Sequence, residues 1–155
     1  MPENPKILIY GYGNPGRQDD SLGVRLTEMV EEWARSDNYE NIQTDSNYQL
    51  NIEDVIILKD KNLVIFADAS KEKLSDYKLE PLKPKNKTDF TMHHVSPAFL
   101  LFLAGELNGA VPECYVLHIK GYEWEFMANP TIQAMKNLQK AFGFIKDFLL
   151  DYLHN

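Results

Sequence analysis

The sequence predicts an α/β three-layer sandwich, with a mostly parallel or mixed central sheet and helices on both faces. Two observations predict it. Short apolar runs at residues 7–10, 63–67 and 114–119 have the length and composition of buried strands. Around them lie stretches whose apolar residues recur every three or four positions, the spacing of a helix packed on one face. Strands alternating with helices favour a sheet covered on both sides. The 155 residues suit one domain, residues 1–155, long enough for a real core.

The chain is organised around residues 6–26, KILIYGYGNPGRQDDSLGVRL. An apolar run from Ile7 to Tyr10 stops at Gly11. Gly11, Gly13, Pro15 and Gly16 then punctuate a tight loop, where glycine permits close backbone approach. Asp19, Asp20 and Ser21 are all good N-cap residues. Leu22, Leu26, Met29, Val30 and Trp33 follow at helical spacing, which predicts a helix over residues 21–35.

Residues 36–41 are polar and break that helix, and residues 42–45 read as a weak second strand. Residues 47–59 read as helical, with Leu50, Asp54, Ile57 and Leu58 at roughly helical intervals, although the β-branched run Val55, Ile56, Ile57 argues against it. The strand at 63–67 delivers Asp68 at its C-terminal end. Residues 71–87 are polar and lysine-rich, and within them 77–82 suit an edge strand flanked by prolines and lysines. A connection at 88–95 carries His93 and His94. Ser96 as N-cap and Pro97 in the first turn start a second helix. It is apolar nearly all round over residues 98–107, so good cover is expected, and Gly109 ends it. After the strand at 114–119, an aromatic, acidic loop at 121–129 leads to Pro130, which opens the last helix. That helix carries the stripe Ile132, Met135, Leu138, Phe142, Ile145, Leu149, Leu153.

Composition narrows the function classes. A net charge of −7 argues against a general nucleic-acid binder, which would carry a basic stripe, and against anionic membrane surfaces. No apolar run reaches membrane-spanning length, and residues 1–6 lack an apolar signal core, so a cytoplasmic location without membrane insertion is expected. The lone cysteine, Cys114, makes no internal disulfide, which fits that location. It reads as a small buried hydrophobe rather than a nucleophile.

In open α/β sheets, ligands sit at the carboxyl ends of the strands. Asp19 and Asp20 follow the first strand, Asp68 ends the strand at 63–67, and His93 and His94 precede the helix that starts at Ser96. Two carboxylates and a histidine could hold a borderline divalent metal such as nickel, zinc or iron, leaving positions open for a second molecule. Each residue also has a purely structural reading. Asp19, Asp20 or Ser21 can cap the helix; capping uses one side chain, so for Asp20 the two readings stand level. Asp68 can cap a turn, although a carboxylate ending so apolar a strand points more to a site. One of the paired histidines suits a surface loop. His118, in an apolar strand, suits a satisfied core position, and His154 is terminal.

The loop GYGNPG is not the dinucleotide fingerprint, because Pro15, Gly16 and Arg17 follow Gly13 and Asn14 where a third glycine is needed. Asp45 could mimic a ribose contact, but Asp19 and Asp20 would repel a pyrophosphate from the helix N-terminus.

Three motifs fall in order along the chain. Gly11, Gly13, Asn14, Asp19, Asp20 and Gly23 fit G-x-G-N-x-x-x-x-D-[DE]-x-x-G. Tyr48, Gln49 and Leu50 precede VIFADA at residues 64–69. His93, Ser96, Pro97, Leu100 and Leu101 fit H-x-x-S-P-x-x-L-L, with Pro112, the Gly121 loop, Asn129 and Pro130 following. Over most of its length the chain thus resembles the [NiFe]-hydrogenase maturation proteases.

The resemblance implies an aspartate-type endopeptidase that removes the C-terminal extension of a hydrogenase large-subunit precursor after nickel insertion. Nickel held by the precursor would be the recognition element, and no tightly bound cofactor of the protein's own is expected. The catalytic and metal-contacting roles would fall on Asp20, Asp68 and His93, with His94 in reserve because His93 has the H-x-x-S-P spacing. Such a site explains why no Ser-His-Asp triad, Cys-His pair or HExxH motif appears. Ser21 departs from the family's usual small residue, often glycine, and residues 71–87 match no motif.

Two rivals remain. Peptidyl-tRNA hydrolases also follow their first strand with G-x-G-N-P-G, as at Gly11 to Gly16 here. They then need an aromatic residue and a histidine-asparagine pair, where this chain has Gln18, Asp19, Asp20, Leu22 and Gly23. The non-enzyme rival is an assembly chaperone of the same fold, with the same nickel-centred recognition but no cleavage.

Overall fold

A computed structural model describes residues 4–86 and 95–155. The first apolar run forms β1 (Ile7–Tyr12) and leads through a short 3-10 turn into α1 (Leu22–Ser36). Next come β2 (Ile42–Asn47), a 3-10 turn at Ile52–Ile56, β3 (Leu63–Ser70) and β4 (Tyr77–Pro81). α2 (Pro97–Asn108), β5 (Glu113–Lys120) and α3 (Ile132–His154) complete the order.

The strands form one sheet in the order β2-β1-β3-β5-β4. β1, β2, β3 and β5 run parallel, and β4 lies antiparallel on the outer edge of β5. Period-two alternation sends Ile7, Ile9, Leu63 and Ile65 to the face covered by α1 and α3. Leu8, Tyr10, Val64 and Phe66 face the opposite layer, made by α2 and the turn at Ile52–Ile56. Each layer closes a separate apolar cluster, which is the predicted three-layer sandwich. From β1 the chain passes to β2 on one side and returns to β3 on the other, so the strand order reverses between β1 and β3. In such sheets the crevice at that reversal, outside the strands' carboxyl ends, is where ligands bind.

Local chemistry explains the element ends. The Ser96 hydroxyl accepts the Phe99 N–H at 3.1 Å and Pro97 takes the first helical position, as predicted for α2. Gly109 closes the helix with φ +78°. Among the described residues no helix is long and apolar enough to cross a membrane.

Several expectations need correction. β1 does not stop at Gly11 but runs through Tyr12, and β3 continues past Ala67 to Ser70, so Asp68 lies within the strand. Both strands run on because neighbouring strands continue the ladder beside them. The helix expected over 47–59 is only one 3-10 turn, closed by a capping box between Asn51 and Asp54. Its Ile52 and Ile56 point to solvent. On α2, Phe99, Leu100, Leu101 and Ala104 are buried, Phe102 and Leu103 pack partly against the same cluster, and Leu107 is exposed. The last helix starts at Ile132, not Pro130, with Thr131 as its cap; Ile132 is exposed and outside the buried stripe. His118 is no core residue: it is half-buried, with Nε2 at 3.6 Å from Glu80 Oε1.

Candidate functional site

Close backbone packing builds the site. A Cβ on Gly23 would lie 2.3 Å from the Ala67 carbonyl oxygen and 2.9 Å from that of Tyr12. One on Gly11 would lie 2.1 Å from the Gly23 carbonyl oxygen. The first turn of α1 therefore rests directly on the carboxyl ends of β1 and β3, with no side chain between. That contact brings Asp20, just ahead of α1, towards Asp68 on β3.

Asp20 does not cap α1, and neither does Asp19. Ser21 takes the N-cap position without a capping bond; its hydroxyl donates to the Gln18 carbonyl and accepts from Arg25 Nε. Asp20 Oδ2 accepts the Asn14 N–H at 2.8 Å, so the glycine loop steadies this carboxylate. Gly13, with φ +136°, makes room for it, since a Cβ there would meet the Asp20 carbonyl oxygen at 2.2 Å.

Asp68 follows Ala67, which pairs with Gly11, so it stands beside Tyr12 at the rim of the sheet. Burial, and then the negative charge of Asp20, push its carboxyl up to about 7. Hydrogen bonds from the Ala69 N–H and the Tyr12 hydroxyl act the other way. The half-buried Tyr12 phenol is itself driven well above its usual range by burial and by the Asp68 charge. A half-buried carboxylate facing a second carboxylate suits a site that receives a cation.

Asp68 shares its sheet face with Val64 and Phe66, the face that α2 covers. The segment carrying His93 and His94 leads into that helix, and both histidines lie outside the described residues. The structure thus brings Asp20 and Asp68 together and leaves the imidazole unplaced. Among the described residues, no three histidine, cysteine or carboxylate side chains converge as a metal cage. Cys114 is buried, its thiol pushed up to about 12 by burial, as expected of a structural cysteine. A depression lined by Lys6, Asn38, Gln43 and Lys61 lies at the opposite ends of the strands.

Sequence reasoning missed two residues. Tyr12 reads as part of a glycine loop but ends β1 against Asp68. Asp19 reads as a cap but is a fully buried clamp. Its carboxylate accepts the N–H groups of Tyr122, Glu123 and Thr131 and the Thr131 hydroxyl, at 2.7 to 3.1 Å. The aspartate doublet was the only available signal, and it does not reveal partners so distant in sequence.

No protein-family model matches the chain, and no curated protein does. Solved structures do match. The [NiFe] hydrogenase maturation protease HycI from Thermococcus kodakarensis aligns with a TM-score of 0.72 at 19% identity, covering 97% of this chain and 93% of that one. The hydrogenase maturating endopeptidase HybD from E. coli aligns with a TM-score of 0.72 at 16% identity, covering 95% and 93%. An uncharacterized protein from Wolinella succinogenes aligns with a TM-score of 0.64 at 19% identity, covering 97% and 99%. Over nearly its whole length, the chain has the fold of the hydrogenase maturation endopeptidases.

Proposed function

We propose that this protein is an endopeptidase that removes the C-terminal extension of a [NiFe]-hydrogenase large-subunit precursor once nickel has been inserted. The observation that carries the reading is the pairing of Asp20 with Asp68 at the β1/β3 crevice, inside a fold shared with maturation endopeptidases. In this reading nickel arrives on the precursor as part of the substrate. Asp20 and Asp68 complete its coordination, with His93 as the nitrogen ligand and His94 in reserve. The chemistry of the pair supports this. Two carboxylates that resist joint ionisation gain most when a cation arrives between them. An empty precursor lacks that cation and is bound less well, which makes cleavage selective for the loaded form. Nickel held between these side chains and the precursor would supply Lewis-acid polarisation of the scissile carbonyl.

The test is the mass of purified precursor before and after incubation with the protein, with nickel loaded and without. Loss of the C-terminal segment from the loaded sample alone is the expected result. Asp20→Ala, Asp68→Ala and His93→Ala should each abolish the loss while circular dichroism stays unchanged. An unchanged mass in a correctly loaded precursor would refute the protease reading and leave the chaperone in its place.

A further inference from the structure

At the carboxyl end of β5 stands a loop, residues 121–131, tied by hydrogen bonds to Ser70 on β3 and to Asp19 beside Asp20. Three consecutive residues after the glycine loop fasten it. Arg17 Nε donates to the Trp124 carbonyl at 2.9 Å. Gln18 Oε1 accepts the Glu125 N–H at 2.9 Å. Asp19 clamps the base from below. At the apex the Met127 N–H donates to the Gly16 carbonyl at 2.8 Å.

What this frame displays is unusual. Phe126 is 70% exposed and Met127 is 98% exposed, two large apolar side chains in succession. Met127 also has φ +61°, a conformation unfavourable for any residue with a Cβ. Arg17 stands over the Phe126 ring at 5.4 Å and Lys71 over the Trp124 ring at 4.9 Å, while Glu123 and Glu125 are exposed in the same loop, so charges of both signs edge the apolar tip. Apolar surface held rigid in water is unfavourable for the free protein. It pre-pays the ordering that binding would otherwise demand.

We infer that the Phe126–Met127 apex is a docking element for the protein substrate, inserted into an apolar pocket with a polar rim on the large-subunit precursor. This rests on the function proposed above. Both apex side chains are exposed, so the apex fits a macromolecular partner rather than a small ligand that would need enclosing. It is also continuous with the site. The glycine loop that accepts Met127 through Gly16 steadies Asp20 through Asn14. A precursor seated on the apex therefore meets the acidic pair in fixed register, an anchor of the kind that dominates protein interfaces.

The test uses purified nickel-loaded precursor with the full-length protein and two variants, Phe126→Ala and Met127→Gly. Glycine suits the left-handed angle, so Met127→Gly should unfold at the same denaturant concentration or a higher one. Both variants should raise KM by about tenfold or more, with kcat held within about twofold. KM within about twofold of the parent, with cleavage intact, would overturn the docking role and leave the protease reading standing. Binding without cleavage, weakened about tenfold in the variants by calorimetry, would sustain the docking role while the protease reading fails. A parent protein that neither binds nor cleaves the loaded precursor would overturn both.

Discussion

The carboxylate of Asp19 accepts both the backbone N–H and the hydroxyl of Thr131, each at 2.8 Å, across 112 residues of chain. Thr131 in turn caps α3 by accepting the Ala134 N–H. One buried carboxylate thus joins the approach to α1, the 121–131 loop and the start of α3.

Removing that carboxylate should damage stability more than removing either neighbour. Asp19→Ala leaves several enclosed N–H groups without a partner. The expected loss is about 3 kcal/mol, since hydrogen bonds to charged groups contribute about 1.5–3 kcal/mol each and water replaces some of them. Thr131→Val keeps the N–H bond to Asp19 but gives up the hydroxyl bond and the α3 cap, so a smaller loss of about 2 kcal/mol is expected. Urea unfolding of the two variants checks the order; equal losses would show that Asp19 is not the clamp.

Glycine-to-alanine substitutions should split by position. Gly143 lies within α3 with open space around its missing Cβ, so Gly143→Ala should stabilise by about 0.5–1 kcal/mol. Gly23→Ala gains the same propensity but drives a methyl to 2.3 Å from the Ala67 carbonyl oxygen. The strands must part to admit it, and a net loss of about 2 kcal/mol or more is expected. A thermal melt that rose in both variants would contradict the direct packing of α1 on the strand ends.

Asp68 should make the protein less stable as pH rises. Its folded value, about 7, lies above the ordinary 3.8, so the folded state holds the extra proton throughout that interval. The stability this provides is fully present below the ordinary value and is lost as pH climbs through the folded one. At 1.36 kcal/mol per pKa unit, the span amounts to at most about 4 kcal/mol. Asp68→Asn should flatten this dependence and be more stable than the parent at pH 8, a value chosen as roughly one unit above the folded pKa. Denaturant midpoints at pH 5 and pH 8, roughly the two sides of the transition, decide it.

Tyr12 should set where the processing activity titrates. A metal-contacting carboxylate must be ionised and an imidazole neutral, so capture of loaded precursor should weaken as pH falls below about 7. The Tyr12 hydroxyl favours the ionised form of Asp68. Tyr12→Phe removes that help, makes Asp68 harder to ionise, and should move the acid limb of the kcat/KM profile to higher pH. A lower rate with an unmoved limb would mark Tyr12 as merely structural.

Buried strands were legible because their signal is dense. Ile7 to Tyr10 and Leu63 to Ala67 are apolar at nearly every position, as only strands covered on both faces are. Ser96 and Pro97 were equally plain, since capping is decided within four residues. What escaped depends on distant partners. Asp68 and Ser70 are strand residues only because β5 extends alongside to Lys120. The stretch at 47–59 has helical spacing, but Ile52 and Ile56 find no layer to bury them. At the site, the paired acids were readable from their place after apolar strands. The Tyr12 contact and the Asp19 clamp were not, because register and loop return exist only in the folded chain.

The meeting of Gly11, Gly23 and Ala67 has a consequence for how such a protein can change. Where helix and strands touch main chain to main chain, the span between the two acids is fixed by atoms common to every amino acid. Side chains displayed on the surrounding loops can be exchanged wholesale without shifting that span. One methyl group added at the joint would spread it. Tolerance and intolerance to substitution thus lie a few residues apart, and the joint acts as the gauge block against which a new partner specificity could be cut.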